Sequence, residues 1–90
     1  IALMGLAFKP NIDDLRESPA KYIVQKVLQN DNNGGYFIVE PNITDHNVFK
    51  LTNYKEAIDK ADIIVFLVAH NEFKDIKVNS EKVILNFCGI

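Results

Sequence analysis

The sequence predicts an α/β domain built on a parallel β-sheet with helices on both faces. Residues 2–8 and 63–68 contain no polar side chain, which is typical of parallel strands covered on both sides. Segments with the spacing of an amphipathic helix lie between the apolar segments. This alternation favours right-handed crossovers within one sheet. With 90 residues, 48% of them hydrophobic, the chain is expected to form a single domain over residues 1–90.

The first strand is predicted over residues 2–8, and the first helix follows a polar loop. Ser18 is a good N-cap residue, and Pro19 suits the first helical position. Apolar residues then recur at helical spacing, namely Ala20, Ile23, Val24, Val27 and Leu28. The polar, glycine-containing stretch 30–35 ends this helix.

The middle of the chain is predicted to form two further strands and a second helix. Residues 36–39 form the second strand, which Pro41 stops, and residues 48–51 form a short edge strand. Asn53 is predicted to cap the second helix, with Glu56 completing a capping box.

The last third of the chain supplies the centre of the sheet. Residues 63–68 form the most hydrophobic strand, a short helix is expected within 70–76, and residues 83–87 form the final strand. Numbered in chain order, the five strands are expected in the order 3-2-1-4-5. The predicted fold is therefore a Rossmann-like, three-layer α/β/α domain.

Composition narrows the class of protein. The net charge is −2, from 10 basic and 12 acidic residues, and the absence of a basic stripe argues against nucleic-acid binding. The apolar run 63–69 is too short to span a membrane. A single cysteine and two widely separated histidines give neither a disulfide nor a metal-ligand spacing. These features fit a reducing cytoplasm. Because the chain starts and stops beside strands, we expect it to be part of a larger protein.

Lys9 and Arg16 are the candidate ligand-binding residues. They lie between the first strand and the first helix, and ligands of open α/β sheets bind where strands end and helices begin. A helix N-terminus there favours an anion, so both cations lie where a phosphorylated ligand would be held. Two alternatives remain open: Lys9 is simply solvated, or Arg16 pairs with Asp13, Asp14 or Glu17.

Other chemically active residues have simpler interpretations. Asp13 and Asp14 are adjacent in a loop and are expected to orient an arginine rather than to catalyse. Glu40 ends a strand where a Rossmann acid would hold a ribose, but the Gly-x-Gly-x-x-Gly fingerprint is absent, which favours a strand-end role. His70 is expected to be structural, and Cys88 an ordinary thiol. No catalytic residue and no metal ligand is expected within these 90 residues.

The segment from Gly5 to Ala20, GLAFKPNIDDLRESPA, resembles the opening of the UDP-binding domain of UDP-sugar 6-dehydrogenases in the UDP-glucose/GDP-mannose dehydrogenase family. Residues 39–43 and 70–73 also resemble the UDP-N-acetyl-D-mannosamine dehydrogenase branch. The resemblance covers essentially the whole chain. Related UDP-glucose dehydrogenases typically carry Tyr-Asp-Pro and Trp-x-x-Phe at those two places.

The resemblance implies the C-terminal UDP-binding domain of an NAD-dependent enzyme. Such an enzyme oxidises the C6 alcohol of a UDP-sugar to a carboxylate with two NAD, here giving UDP-N-acetylmannosaminuronate for bacterial surface polysaccharide. The N-terminal and central domains of the same protein would bind most of the NAD and supply the catalytic cysteine, in a homodimer or higher oligomer. The 90 residues alone would be inactive. Alternatives are a UDP-glucose or UDP-N-acetylglucosamine dehydrogenase domain, or a non-catalytic α/β binding module.

The resemblance also implies roles for three residues. Phe8 and Lys9 match the family's substrate contacts, and Arg16 matches an arginine that reaches the NAD. The chain departs from the family near its end, where relatives carry an acid, a small residue and a basic residue before a glycine. Here Asn86 replaces the acid and Cys88 replaces the basic residue. We expect Lys9 or a partner subunit to take over that contact.

Overall fold

The sheet is parallel, as the apolar segments predict. A computed structural model of the chain describes residues 1–7, 9–11, 15–16, 18–30, 35–43, 46, 49–74, 76–78 and 80–89. Its elements in chain order are β1 (Ala2–Met4), α1 (Pro19–Asn30), β2 (Phe37–Val39), α2 (Tyr54–Lys60), β3 (Ile63–Phe66), α3 (Asn71–Lys74) and β4 (Val83–Asn86). The strand order is β2-β1-β3-β4, and each neighbouring pair is parallel.

Helices cover both faces of the sheet, because alternate residues of each strand point to opposite sides. Met4 and Phe66 pack with α2 and α3, through residues such as Ala57 and Phe73. On the other face, a second cluster joins the strands to α1, with buried members Leu3, Leu6, Val24, Ile38, Phe49 and Val65. The three-layer α/β/α prediction is therefore confirmed.

The first strand is shorter than predicted. It ends at Met4 rather than at Phe8, because Gly5 has a φ of +109°, a left-handed conformation that leaves the extended region. A Cβ atom at Gly5 would lie 2.7 Å from the Cβ of Val68. The turn after β1 therefore requires glycine both for its backbone angle and for its contact with the segment after β3.

The described part of the chain forms four strands where five were expected. The predicted edge strand is reduced to a single parallel bridge between Leu51 and Ile38, with the Thr52 amide donating to the Ile38 carbonyl at 2.8 Å. Because Asn53 caps α2 immediately afterwards, the ladder cannot extend past Thr52, and residue 48 of the predicted strand lies outside the described residues. The other four strands lie in the predicted relative order.

Both predicted helix caps are present. The Lys21 amide donates to Ser18 Oγ at 3.2 Å, and the Lys55 amide donates to Asn53 Oδ1 at 2.9 Å. Glu56, which was expected to complete a capping box, pairs with Lys60 Nζ at 2.8 Å. No helix among the described residues has the length and apolar character needed to cross a bilayer.

Candidate ligand site at the carboxyl edge of the sheet

A cleft of about 240 Å³ opens at the carboxyl edge of the sheet. It is bounded by the loop after β1, the first turn of α1, the segment after β3 and the end of β4; its lining residues are Ala7, Pro10, Pro19, Ala20, Leu67, Val68, Ala69 and Cys88. The chain leaves β1 toward β2 on one side and leaves β3 toward β4 on the other. Ligands of open α/β sheets bind at such a switch point.

The first turn of α1 faces this cleft. Pro19 and Ala20 line it, and Ser18 caps the helix. The N-terminal end of a helix carries a partial positive charge and N–H groups without partners in the helix. The cleft is therefore suited to an anionic group such as a phosphate.

Lys9 and Arg16 lie in the segment that borders the cleft. Lys9 is exposed and precedes Pro10, a cleft residue, while Arg16 is exposed and lies shortly before α1. Phe8, the other predicted substrate contact, lies outside the described residues. Asp13, Asp14 and Glu17, the alternative partners of Arg16, also lie outside them. The ligand roles of Phe8, Lys9 and Arg16 stay predictions.

Glu40, directly after β2, has its carboxylate buried over the end of β1. The residue is 3% exposed, and its side chain is 0% exposed. Oε1 accepts hydrogen bonds from the Leu6 amide at 2.9 Å and the Ala7 amide at 3.0 Å, and Oε2 accepts one from the Asn42 amide at 2.9 Å. The prediction that Glu40 has a strand-end role is correct, and its carboxylate holds the backbone that leaves β1.

His70 connects this carboxylate to the loop after β1. The ring is fully buried, and Nε2 lies 2.8 Å from Glu40 Oε1. On the other side, Nδ1 accepts the Asn11 amide at 2.8 Å and lies 3.2 Å from Asn42 Nδ2. A backbone amide can only donate, so Nδ1 is the acceptor and the proton lies on Nε2, which donates to Glu40. His70 is structural, as predicted.

Asn11 completes the link between the two loops. Its backbone adopts a left-handed φ of 63°, which asparagine tolerates better than most residues. Its Oδ1 accepts the Asn71 amide at 2.7 Å, at the first residue of α3. We call Glu40, His70, Asn42 and Asn11 the loop-anchoring network.

The surroundings of Glu40 determine its pKa. Burial by itself would raise the pKa of this carboxyl, but the hydrogen bonds from His70 and from the Leu6 and Asn42 amides outweigh it and lower the pKa below its ordinary value. The carboxylate is therefore held ionised inside the fold.

A dinucleotide site belonging to this domain alone does not fit this arrangement. Glu40 stands where a Rossmann acid would hold a ribose, but its oxygens are engaged with amides and with His70. The turn after β1 contains only Gly5 of the glycine fingerprint. Among the described residues, no group of three or more His, Cys, Asp or Glu side chains could hold a metal ion.

Cys88, which stands where the resemblance led us to expect a basic residue, lines the cleft. Its amide and that of Gly89 donate to Asn86 Oδ1, at 3.2 Å and 2.9 Å. Asn86, which replaces the expected acid, therefore holds the turn that ends β4.

Sequence reasoning missed that Glu40 and His70 meet. Each was assigned a separate structural role, although Val39 and Phe66 are both paired with Met4. Because β2 and β3 flank β1, polar residues just beyond their carboxyl ends can converge over the end of β1. The order of the strands was therefore the signal from which the contact between these two side chains could have been predicted.

Comparisons with known proteins identify the family of the chain. Residues 2–89 match the model of the UDP-glucose/GDP-mannose dehydrogenase family, UDP binding domain. The chain is 47% identical to the UDP-N-acetyl-D-mannosamine dehydrogenase of Campylobacter jejuni, covering 98% of this chain and 22% of that protein. It is 48% identical to the enzyme of that name from Escherichia coli strain K12, covering 82% and 19%.

A third relative carries a different sugar name. The chain is 46% identical to the NDP-N-acetyl-D-galactosaminuronic acid dehydrogenase of Ralstonia nicotianae, covering 82% of this chain and 18% of that protein. The chain thus spans about a fifth of the length of these curated relatives.

A solved structure supports the fold. The UDP-N-acetyl-mannosamine dehydrogenase of S. aureus superposes with a TM-score of 0.68 at 21% identity, covering 94% of this chain and 25% of that one. At this identity the likeness concerns the fold alone. The sequence match over residues 2–89 shows that the chain belongs to the UDP-glucose/GDP-mannose dehydrogenase family, as its UDP-binding domain.

Proposed function

We propose that residues 1–90 form the C-terminal UDP-sugar-binding domain of an NAD-dependent UDP-N-acetylmannosamine 6-dehydrogenase. The observation that carries this proposal is the cleft at the switch point between β1 and β3, with the α1 N-terminus facing it. Its position fits a nucleotide diphosphate. The names of the Campylobacter and Escherichia relatives support the choice of sugar.

Within this proposal, Lys9 and Phe8 contact the nucleotide sugar. Lys9 directly precedes the cleft residue Pro10 in the chain, and its ammonium would neutralise part of the diphosphate charge. A charge-assisted hydrogen bond of this kind is worth about 1.5–3 kcal/mol.

We place the NAD mainly on another domain of the same protein, because the residues around Glu40 do not fit a dinucleotide. Arg16 would reach that cofactor from the edge of the cleft, since a guanidinium suits a pyrophosphate or a ribose. When bound, two equivalents of NAD would supply the hydride acceptors for the oxidation at C6. The catalytic cysteine would also come from outside these 90 residues, and the full-length protein would work as a homodimer or a higher oligomer.

A second candidate sugar comes from the Ralstonia relative, whose name specifies an N-acetyl-galactosaminuronic acid. UDP-glucose and UDP-N-acetylglucosamine are further candidates. A non-catalytic binding module is the alternative of another class. All of these candidates would bind UDP in the cleft. The dehydrogenases differ in the hexose that they oxidise, and the binding module would catalyse no reaction.

Calorimetry on the full-length protein tests the binding step. UDP should bind at least about tenfold more tightly than uridine, because one charge-assisted contact to the diphosphate corresponds to that factor. Equal affinity for UDP and uridine would contradict an anion site in the cleft.

NADH absorbance tests the reaction and the sugar. With NAD present, UDP-N-acetylmannosamine should be oxidised with a higher kcat/KM than UDP-glucose, UDP-N-acetylglucosamine or UDP-N-acetylgalactosamine. A preference for one of the others would reassign the hexose. UDP binding without any NADH formation would favour the non-catalytic module.

A further inference from the structure

The loop after β1 is tied to the rest of the domain through one buried pair of side chains. Glu40 accepts the amides of Leu6 and Ala7, at the start of that loop. His70 accepts the amide of Asn11, four residues beyond Ala7. Lys9 lies between these two attachment points, so the buried pair fixes the backbone on both sides of it.

The pair itself has a defined direction. His70 Nε2 donates to Glu40 Oε1 at 2.8 Å, and both side chains are buried. Because Nδ1 accepts the Asn11 amide, the imidazole links the Glu40 carboxylate to the far end of the loop after β1. An apolar side chain at 70 would fill the space and would lose both contacts.

The segment after β3 belongs to the same unit. The Asn71 amide donates to Asn11 Oδ1 at 2.7 Å, and His70 and Asn71 directly follow Val68 and Ala69, which line the cleft. The two walls of the cleft are thereby joined by hydrogen bonds at Asn11.

We propose that Glu40 and His70 are positioning residues for the ligand, which hold the β1–α1 loop so that Lys9 meets the diphosphate. This inference rests on the proposed function, because it needs Lys9 to contact the ligand. Neither residue touches the ligand itself. They act by limiting the conformations of the loop before binding, which reduces the entropy that binding must remove.

A double-mutant cycle in the full-length protein tests this, with UDP affinity measured by calorimetry. His70→Leu should weaken UDP binding by about tenfold, the loss of one charge-assisted contact. In a Lys9→Ala background the same substitution should cost less than about twofold, because the contact that it positions is already gone. A purely structural role would instead give equal losses in both backgrounds, and that result would overturn the proposal.

His70→Gln serves as the rescue variant, since a glutamine can donate to Glu40 and accept from Asn11. It should bind UDP more tightly than His70→Leu. His46→Leu is the matched control, because His46 Nδ1 also accepts a backbone amide, that of Phe49 at 3.2 Å, and lies in a different loop. It should bind UDP as the unmodified protein does.

Asn11→Gly keeps the proposal testable if His70→Leu does not fold. Asn11 is exposed, and glycine accepts its left-handed φ, so only the side-chain bond to Asn71 is lost. UDP binding should weaken, and it should weaken less in the Lys9→Ala background. Unchanged UDP affinity in a folded His70→Leu or Asn11→Gly protein would overturn the proposal.

Different binding results are expected if the proposed function itself is wrong. If the unmodified protein does not bind UDP, or if Lys9→Ala binds it normally, the assignment of the cleft or of Lys9 is wrong, and the positioning role is overturned with it.

Discussion

Nε2 of His70 lies 2.8 Å from Oε1 of Glu40, and both side chains are 0% exposed. The residues follow β3 and β2, which flank β1 on opposite sides. Their contact therefore lies over the end of the strand that leads into the loop carrying Lys9. A buried carboxylate is costly unless its oxygens are hydrogen-bonded, and here amides and the imidazole satisfy them.

Lys9→Ala in the full-length protein should lower kcat/KM for the UDP-sugar by roughly 10- to 100-fold, the equivalent of about 1.5–3 kcal/mol. Lys26→Ala is the matched control, since Lys26 lies near the Tyr22 ring on the exposed side of α1 and should leave the kinetics unchanged. Equal steady-state constants for the Lys9 variant and the unmodified protein would exclude Lys9 from the site.

The low pKa of Glu40 makes stability depend on pH. Because its folded pKa lies below the ordinary value of 4.5, its ionisation stabilises the fold fully above that value. The contribution is lost as pH falls through the folded pKa. Urea unfolding at a series of acidic pH values should show this decline.

Glu40→Gln should flatten this decline and reduce the unfolding free energy at neutral pH by about 1–3 kcal/mol. The reason is that one carboxylate oxygen becomes an NH2 group, which cannot accept a hydrogen bond from a backbone amide. Glu56→Gln is the comparison: its hydrogen bond to Lys60 also lowers the pKa of Glu56, but the pair is exposed and screened by solvent, so the acid profile should change less. An identical acid profile for Glu40→Gln and the unmodified chain would contradict this account of the carboxylate.

Gly5→Ala should reduce the unfolding free energy by at least about 2 kcal/mol, since it adds backbone strain at φ +109° and overpacking against Val68. Gly35→Ala separates the two causes, because Gly35 has a φ of +84° and, among the described residues beyond its chain neighbours, no atom within 4 Å of its would-be Cβ. It should lose only about 1 kcal/mol, from strain alone. Thermal unfolding measures the loss of unfolding free energy in both variants. Equal losses would exclude the Val68 contact as a cause of the destabilisation.

The 90-residue chain by itself should not reduce NAD when mixed with a UDP-sugar. The proposed nucleophile and the glycine fingerprint for the dinucleotide are not in this sequence. NADH absorbance over time checks this, with the full-length protein as the positive control. Turnover by the isolated chain would place the chemistry within these residues.

Cys88→Ser in the full-length protein should retain most activity, because Cys88 is expected to be only a neighbour of the ligand in the cleft. Serine keeps the size and the backbone bond to Asn86. Steady-state kinetics is the measurement. A loss of several orders of magnitude would make Cys88 functional and would overturn the assignment of the nucleophile to another domain.

The isolated domain also exposes an apolar surface. A groove of about 300 Å³ lies between α1 and the edge of the sheet, and its lining includes Ile23, Leu85 and Phe87. Phe87 is 71% exposed. Apolar strand edges of this kind are prone to association, which favours full-length protein for the binding measurements.

The sequence by itself determined the parallel three-layer fold, the caps at Ser18 and Asn53 and the place of Lys9 and Arg16 beside a helix start. These features are local, because they depend on apolar runs, capping residues and chain order. The family resemblance carried by residues 5–20 also came from the sequence alone.

Only the tertiary structure decided where β1 ends and how its loop is held. Part of the requirement for glycine at position 5 comes from the approach of Val68, 63 residues later in the chain. The contact of Glu40 with His70 likewise joins residues that are 30 positions apart. Neither relationship appears in local periodicity, because each arises only when β2 and β3 are placed on either side of β1.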